Sequence, residues 1–203
     1  MKILLTGFDP FGGESINPAY EAVKEVTAPD GVELIKLEVP TVFFKAFDCV
    51  KAVIEEQKPD AVICVGQAGG RSSVTPERVA INLMDAKSPD NEGFVPVDQP
   101  IVSGGENALF STLPVKKIVS AINSVGVPSQ ISNTAGTFVC NSLMYGVLKL
   151  CKESFHQTIA GFIHVPYIPQ QVTDKPDLPS LPLLKTVAAL EAAVKCVAEE
   201  RSI

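Results

Sequence analysis

Two residue types here can make a nucleophile and its base, and both are scarce: five cysteines and two histidines. Cys49, Cys64, Cys151 and Cys196 each lie inside an apolar strand or helix pattern, where a free cysteine acts as a small buried hydrophobe. Cys140 lies instead at an element boundary, in Asn133-Thr-Ala-Gly-Thr-Phe-Val-Cys-Asn141, with a long apolar helical pattern after it. At a helix start, unpaired N–H groups and the helix dipole favour a thiolate, the nucleophilic form. His164 ends the apolar strand pattern of Gly161-Phe-Ile-His-Val-Pro-Tyr-Ile-Pro169. Ligands in α/β sheets gather outside the carboxyl ends of strands, so His164 is the candidate base; a hydrogen-bonded core histidine is the competing reading. His156, in the polar run Glu153-Ser-Phe-His-Gln157, reads as a surface group.

A Cys–His pair needs a third group to orient the imidazole and stabilise its charged form. Glu77, in Thr75-Pro-Glu-Arg-Val-Ala-Ile-Asn82, is the candidate. On the residues alone, a surface glutamate paired with Arg78 is the better reading of it. The glycine-rich runs Thr6–Gly13 and Val65–Arg71 match neither GxxxxGK[ST] nor GxGxxG, so turns and close backbone approach explain them better than phosphate binding. Phe8 and Phe11 beside the first run suit an apolar pocket wall.

Short β-branched runs alternate with helical patterns along the chain. Strands are predicted at Lys2–Thr6, Glu33–Val39, Ala61–Val65, Val79–Leu83, Ser129–Ser132 and Ile159–Val165. Helices are predicted at Pro18–Val26, Val42–Gln57, Val115–Val125, Phe138–Ser154 and Pro182–Glu200, the last capped by Ser180. This alternation predicts an α/β sandwich around a largely parallel sheet. Ser88–Gly105 and the proline-rich Gln170–Leu181 are long connections, which are often functional. No domain boundary is visible, so residues 1–203 read as one catalytic domain.

The totals narrow the function. Hydrophobic residues are 46% and charged residues 20% of 203, as in an ordinary soluble protein. A net charge of −6 with dispersed Lys and Arg argues against nucleic acid. No apolar run is long enough to span a membrane, and Met1-Lys2 leads into a run too short for a signal peptide. An odd cysteine count without CxxC spacing argues against structural zinc and disulfides, and points to a cytoplasmic protein.

Six blocks in order resemble the pyrrolidone carboxyl peptidase (pyroglutamyl peptidase type I) family of cysteine peptidases. They are Leu5-Thr-Gly-Phe-Asp-Pro-Phe-Gly-Gly13, Val65-Gly-Gln-Ala-Gly-Gly-Arg71, Thr75-Pro-Glu-Arg-Val-Ala-Ile-Asn82, Ser88-Pro-Asp-Asn-Glu-Gly93, Thr134-Ala-Gly-Thr-Phe-Val-Cys140 and Gly161-Phe-Ile-His-Val-Pro-Tyr-Ile-Pro169. The resemblance covers nearly the whole chain. It implies a three-layer α/β/α sandwich around a mixed, largely parallel sheet, a Glu77–Cys140–His164 triad, and no metal or organic cofactor. It also implies a cytoplasmic homotetramer acting on N-terminally pyroglutamylated peptides. The ring pocket maps onto Phe8, Phe11, Asn17, Thr41, Gln67, Phe138 and Val139. A lactam carries no positive charge, so apolar walls and amide groups such as Asn17 and Gln67 suit it better than an acidic anchor.

Two departures stand out. Lys87-Ser88 replaces the family's Arg-Ile, losing the planar guanidinium and an apolar contact, and Ser142 replaces a common His. They leave two alternatives to the peptidase: a cysteine amidohydrolase with a shifted substrate, and a binding protein that keeps the pocket but turns over poorly.

Overall fold

The structure is a computed structural model and describes residues 1–200. Its strands are β1 (Lys2–Phe8), β2 (Glu33–Val39), β3 (Ala61–Gln67), β4 (Thr75–Pro76), β5 (Val79–Ile81), β6 (Ala108–Phe110) and β7 (Ile159–Val165). Its helices are α1 (Pro18–Glu25), α2 (Lys45–Gln57), α3 (Val115–Ser124), α4 (Val139–Ser154) and α5 (Leu183–Glu200). The main sheet runs β2-β1-β3-β7-β4. Four of its strands are parallel, and β4 joins the β7 edge antiparallel, which makes the sheet mixed.

Strand side chains alternate between faces, so each central strand feeds two cores. Ile3, Leu5, Ile63, Val65, Ile163 and Val165 pack against α1, α3 and α5. Leu4, Phe8, Val62, Cys64, Ala160 and Phe162 pack against α2 and α4. The result is the three-layer α/β/α sandwich. Burial on both faces explains why β3 and β7 are almost wholly apolar.

Several predicted boundaries move. Ser129–Ser132 is not a strand: it holds two isolated bridges, Val74 to Ser129 and Glu77 to Ser132. Its backbone still meets the β4 segment, Gln130 N–H donating to the Val74 carbonyl at 3.3 Å and Ser132 N–H to that of Pro76 at 3.0 Å, while Ser132 Oγ bonds locally to the Thr134 carbonyl at 3.0 Å. The predicted Val79–Leu83 strand stops at Ile81 and pairs antiparallel with β6, outside the main sheet. Helix α2 begins at Lys45 because Val42–Phe44 form a turn with Phe44 at φ 63°. Ser180 does not open α5; it bridges Tyr167, and the Pro182 carbonyl accepts from Lys185 and Thr186 N–H.

Candidate active site

Strand parity places the histidine. Phe162 and His164 are two apart on β7 and share the face that α4 covers, with ring centroids 4.7 Å apart. Helix α4 begins at Val139 on that same face, so Cys140 sits in its first turn. Phe138 at the cap makes no side-chain capping bond, leaving the first-turn N–H groups for an anion. Asn141 anchors the turn: its amide donates to the Ile81 and Leu83 carbonyls and accepts from Ile81 N–H, at 2.9 to 3.0 Å.

Gly66, beside His164 in the β3–β7 register, gives the thiol its room. A Cβ on Gly66 would lie 2.9 Å from Cys140 Sγ and 2.7 Å from Phe162 Cζ. Only a residue without a side chain leaves space there for sulfur and ring together.

Glu77 overturns its surface reading. It is fully buried just past β4, where its N–H donates to the Phe162 carbonyl at 2.9 Å. Its partner is not Arg78. Its Oε1 accepts from His164 Nδ1 at 2.7 Å and from Arg71 Nη1 at 2.6 Å. An ionised carboxylate only accepts, so Nδ1 carries the proton and Nε2 is left as the basic nitrogen. Arg71 also donates to the Thr134 carbonyl at 3.1 Å, tying the β3–β4 loop to the segment before α4.

The charges follow from burial and neighbours. Burial alone would raise Glu77, but the His164 hydrogen bond and charge, with Arg71, bring its pKa below the usual range. Burial lowers His164 and Arg71 adds to that, against an upward pull from Glu77; the net shift is down, towards neutral imidazole. Burial pushes the Cys140 thiol up to about 12, Glu77 adds to it, and Arg71 pulls it back. Burial therefore works against the thiolate that the helix start favours. Desolvation outweighs the dipole here.

Cys140, His164 and Arg71 line a cavity of about 260 Å³ with Phe8, Phe11, Asn17, Thr41, Gln67, Ala68, Phe138 and the Thr134–Gly136 segment, and Glu77 lies behind its wall. Of the expected pocket residues only Val139 is not on its wall; it is fully buried against the core beneath. Asn17 lines the cavity while capping α1, accepting from Ala19 N–H at 3.0 Å and donating to the Asp9 carbonyl at 2.8 Å. Thr41 N–H donates to Asp9 Oδ1 at 2.7 Å, so Asp9 joins two walls. Phe138 stacks edge-on against Phe43 at 5.3 Å. Sequence reasoning passed over Arg71, Asn141 and the Thr134–Gly136 wall, although all stand inside or beside the motifs. Lys87 and Ser88 are exposed and off the cavity wall. Ser142 faces a different, larger cavity of about 380 Å³ between α2 and α4, which holds no cysteine or histidine. His156 is exposed.

Among the described residues, no three His, Cys, Asp or Glu side chains cluster closely enough to hold a metal ion. No helix among them is long and apolar enough to cross a membrane.

A family model described as pyroglutamyl peptidase matches residues 1–200. A pyrrolidone-carboxylate peptidase of Streptococcus suis is 53% identical over 202 residues, 99% of this chain and 94% of the relative. One of Thermosipho africanus is 52% identical over 203 residues, 98% of each. The crystal structure of Bacillus amyloliquefaciens pyroglutamyl peptidase I superimposes with a TM-score of 0.95 at 48% identity, covering 98% of this chain and 97% of that one. A mutant pyrrolidone carboxyl peptidase of Pyrococcus furiosus does so at 0.95 with 42% identity, covering 98% and 99%. With full-length matches in both sequence and structure, this chain belongs to the pyroglutamyl peptidase family and is a hydrolase of that kind.

Proposed function

We propose that the protein removes an N-terminal pyroglutamyl residue from peptides as a cysteine peptidase, with Cys140 as nucleophile, His164 as general acid and base, and Glu77 orienting His164. The observation that carries this reading is the cavity's makeup. Cys140 and His164 share it with five aromatic or amide side chains, Phe8, Phe11, Phe138, Asn17 and Gln67, and no Asp or Glu lines it. An ordinary charged N-terminus would meet only the positive Arg71 there. A neutral lactam brings no charge to desolvate, and its polar groups need only hydrogen-bond partners.

As the thiol attacks the carbonyl carbon, its proton passes to His164 Nε2 and the S–C bond forms. The oxyanion is stabilised by N–H groups of the first turn of α4, above all that of Cys140. In the β3–β4 loop, the Ala68 and Arg71 N–H groups are already bonded, to the Val165 and Ala68 carbonyls. The C–N bond then breaks as Nε2–H protonates the leaving amine. Water attacks the thioester, giving a proton to Nε2. Breaking the C–S bond returns that proton to sulfur and frees pyroglutamate. Ionised Glu77 stabilises each imidazolium.

The test is release of a fluorescent amine from a pyroglutamyl arylamide, with a prolyl arylamide as control. Wild type and Cys151→Ala should both turn over the first substrate only, and Cys140→Ala neither. Equal loss in both cysteine variants, or in neither, would sink the assignment of the nucleophile. The resemblance alone supports a homotetramer, and with the cysteine usage it supports a cytoplasmic one; light scattering that gives a monomer would remove the tetramer.

A further inference from the structure

Gln67 lines the cavity, and what it recognises depends on which end of its amide points inward. The two ends are almost the same shape and opposite in hydrogen-bonding character. A chain of contacts decides between them. Gln171 ends the short 3-10 turn Pro169–Gln171 after β7 and is 5% exposed. Its Oε1 accepts from Ile168 N–H at 3.1 Å. Its Nε2 donates to the Ile16 carbonyl at 3.3 Å and to Gln67 Oε1 at 2.8 Å.

The two backbone groups cannot exchange roles. Flipping Gln171 would set its oxygen against the Ile16 carbonyl and its NH2 against Ile168 N–H, breaking both bonds. Gln67 must therefore turn its oxygen to Gln171. That leaves the two N–H groups of Gln67 Nε2 as the donors it can offer to the cavity.

We infer that Gln171 is a positioning residue for substrate selectivity: through Gln67 it makes this part of the cavity a hydrogen-bond donor. This rests on the pyroglutamyl reading above. A donor matches the lactam carbonyl and finds nothing on a proline ring, which lacks that oxygen. Gln171 is not on the cavity wall, so it acts through Gln67.

The sharp variant is Gln171→Glu. The new carboxylate still accepts from Ile168 N–H, but it cannot donate to Gln67. Gln67 then turns its NH2 to the carboxylate and its oxygen towards the substrate's own carbonyl. For the pyroglutamyl arylamide, KM should rise and kcat/KM fall on the order of 10- to 100-fold. In a Gln67→Leu background the same change should cost less than about 2-fold more, because the route of action is gone. Gln171→Met, which removes donor and acceptor together, runs the same cycle if the first variant folds poorly.

Additive losses in both backgrounds, unchanged kinetics in both Gln171 variants, or failure of both to fold would overturn the inference. Wild-type protein that leaves the pyroglutamyl arylamide untouched would instead remove the parent reading, and this one with it. The wild-type arm, run first, separates the two failures.

Discussion

Gly66→Ala tests whether the space beside the thiol is as tight as the structure makes it. The new Cβ would stand 2.9 Å from Cys140 Sγ and 2.7 Å from Phe162 Cζ, so each neighbour must retreat at least about half an ångström to ordinary contact at 3.4 Å. The ring cannot yield freely. Phe162 is 1% exposed, with Phe8 at 6.3 Å on one side and His164 at 4.7 Å on the other. Overpacking of this kind costs about 1–3 kcal/mol of stability. The sulfur has more freedom, so much of the strain should go into its displacement. A misplacement approaching 1 Å costs on the order of 100-fold in rate, so a loss of about 10- to 100-fold in kcat is expected. The comparison is Gly146→Ala on α4, whose Cβ would lie 2.7 Å from Phe47 Cδ2, away from the candidate site. That change should shift the melting temperature with kcat held within about 2-fold, and alanine's helix propensity offsets about 1 kcal/mol of its clash. Both variants are read by arylamide kinetics and thermal unfolding. If Gly66→Ala keeps wild-type kcat, or Gly146→Ala loses as much, Gly66 does not set the thiol's position.

Glu77→Gln keeps the shape beside His164 Nδ1 but removes the charge that stabilises imidazolium, so kcat should fall about 1,000-fold or more in a folded protein; a loss under 10-fold would demote Glu77. The lowered pKa of His164 puts the acid limb of the kcat/KM profile below 6.5, and Arg71→Met, which deletes a charge that lowers it, should move the limb to higher pH. A limb that stays put would mean another group titrates. Stability should fall on acidification in two stages, since both folded values lie below the unfolded ones. Below 6.5 the unfolded chain takes a proton that His164 declines, and the contribution of Glu77, present above 4.5, is lost as pH falls through its lowered value; a denaturation midpoint flat from pH 7 to 4.5 would refute the first direction, and one flat below 4.5 the second. Asn17→Ala removes the α1 cap and the tie to Asp9, so it should cost about 1 kcal/mol and raise KM. Unchanged KM would show that Asn17 is a cap alone.

What the sequence made legible tracks how local each signal was. His164 and Cys140 could be picked out because an apolar strand and an apolar helix mark their own ends, and side-chain parity does the rest. Glu77 could not. Its strand, Thr75–Pro76, is too short to carry a pattern, and burial comes from β7, whose sequence lies 87 residues away from it. Without the family resemblance it read as a surface partner of Arg78. The charge on Cys140 is hard to read for a related reason: a helix start is visible in sequence, but the burial that opposes a thiolate comes from tertiary packing, with Gly66 of β3 brought against the sulfur. Gln171 marks the limit most clearly. Its loop read only as a long proline-rich connection, yet one buried amide there reaches Gln67 across a separation of 104 residues. No periodicity encodes such a bond. Parallel crossovers bring distant loops to the carboxyl edge of one sheet, and the polarity of the cavity is set by what meets there. A family's motifs can therefore name the groups on the cavity wall while passing over the residues behind it that decide which way those groups point.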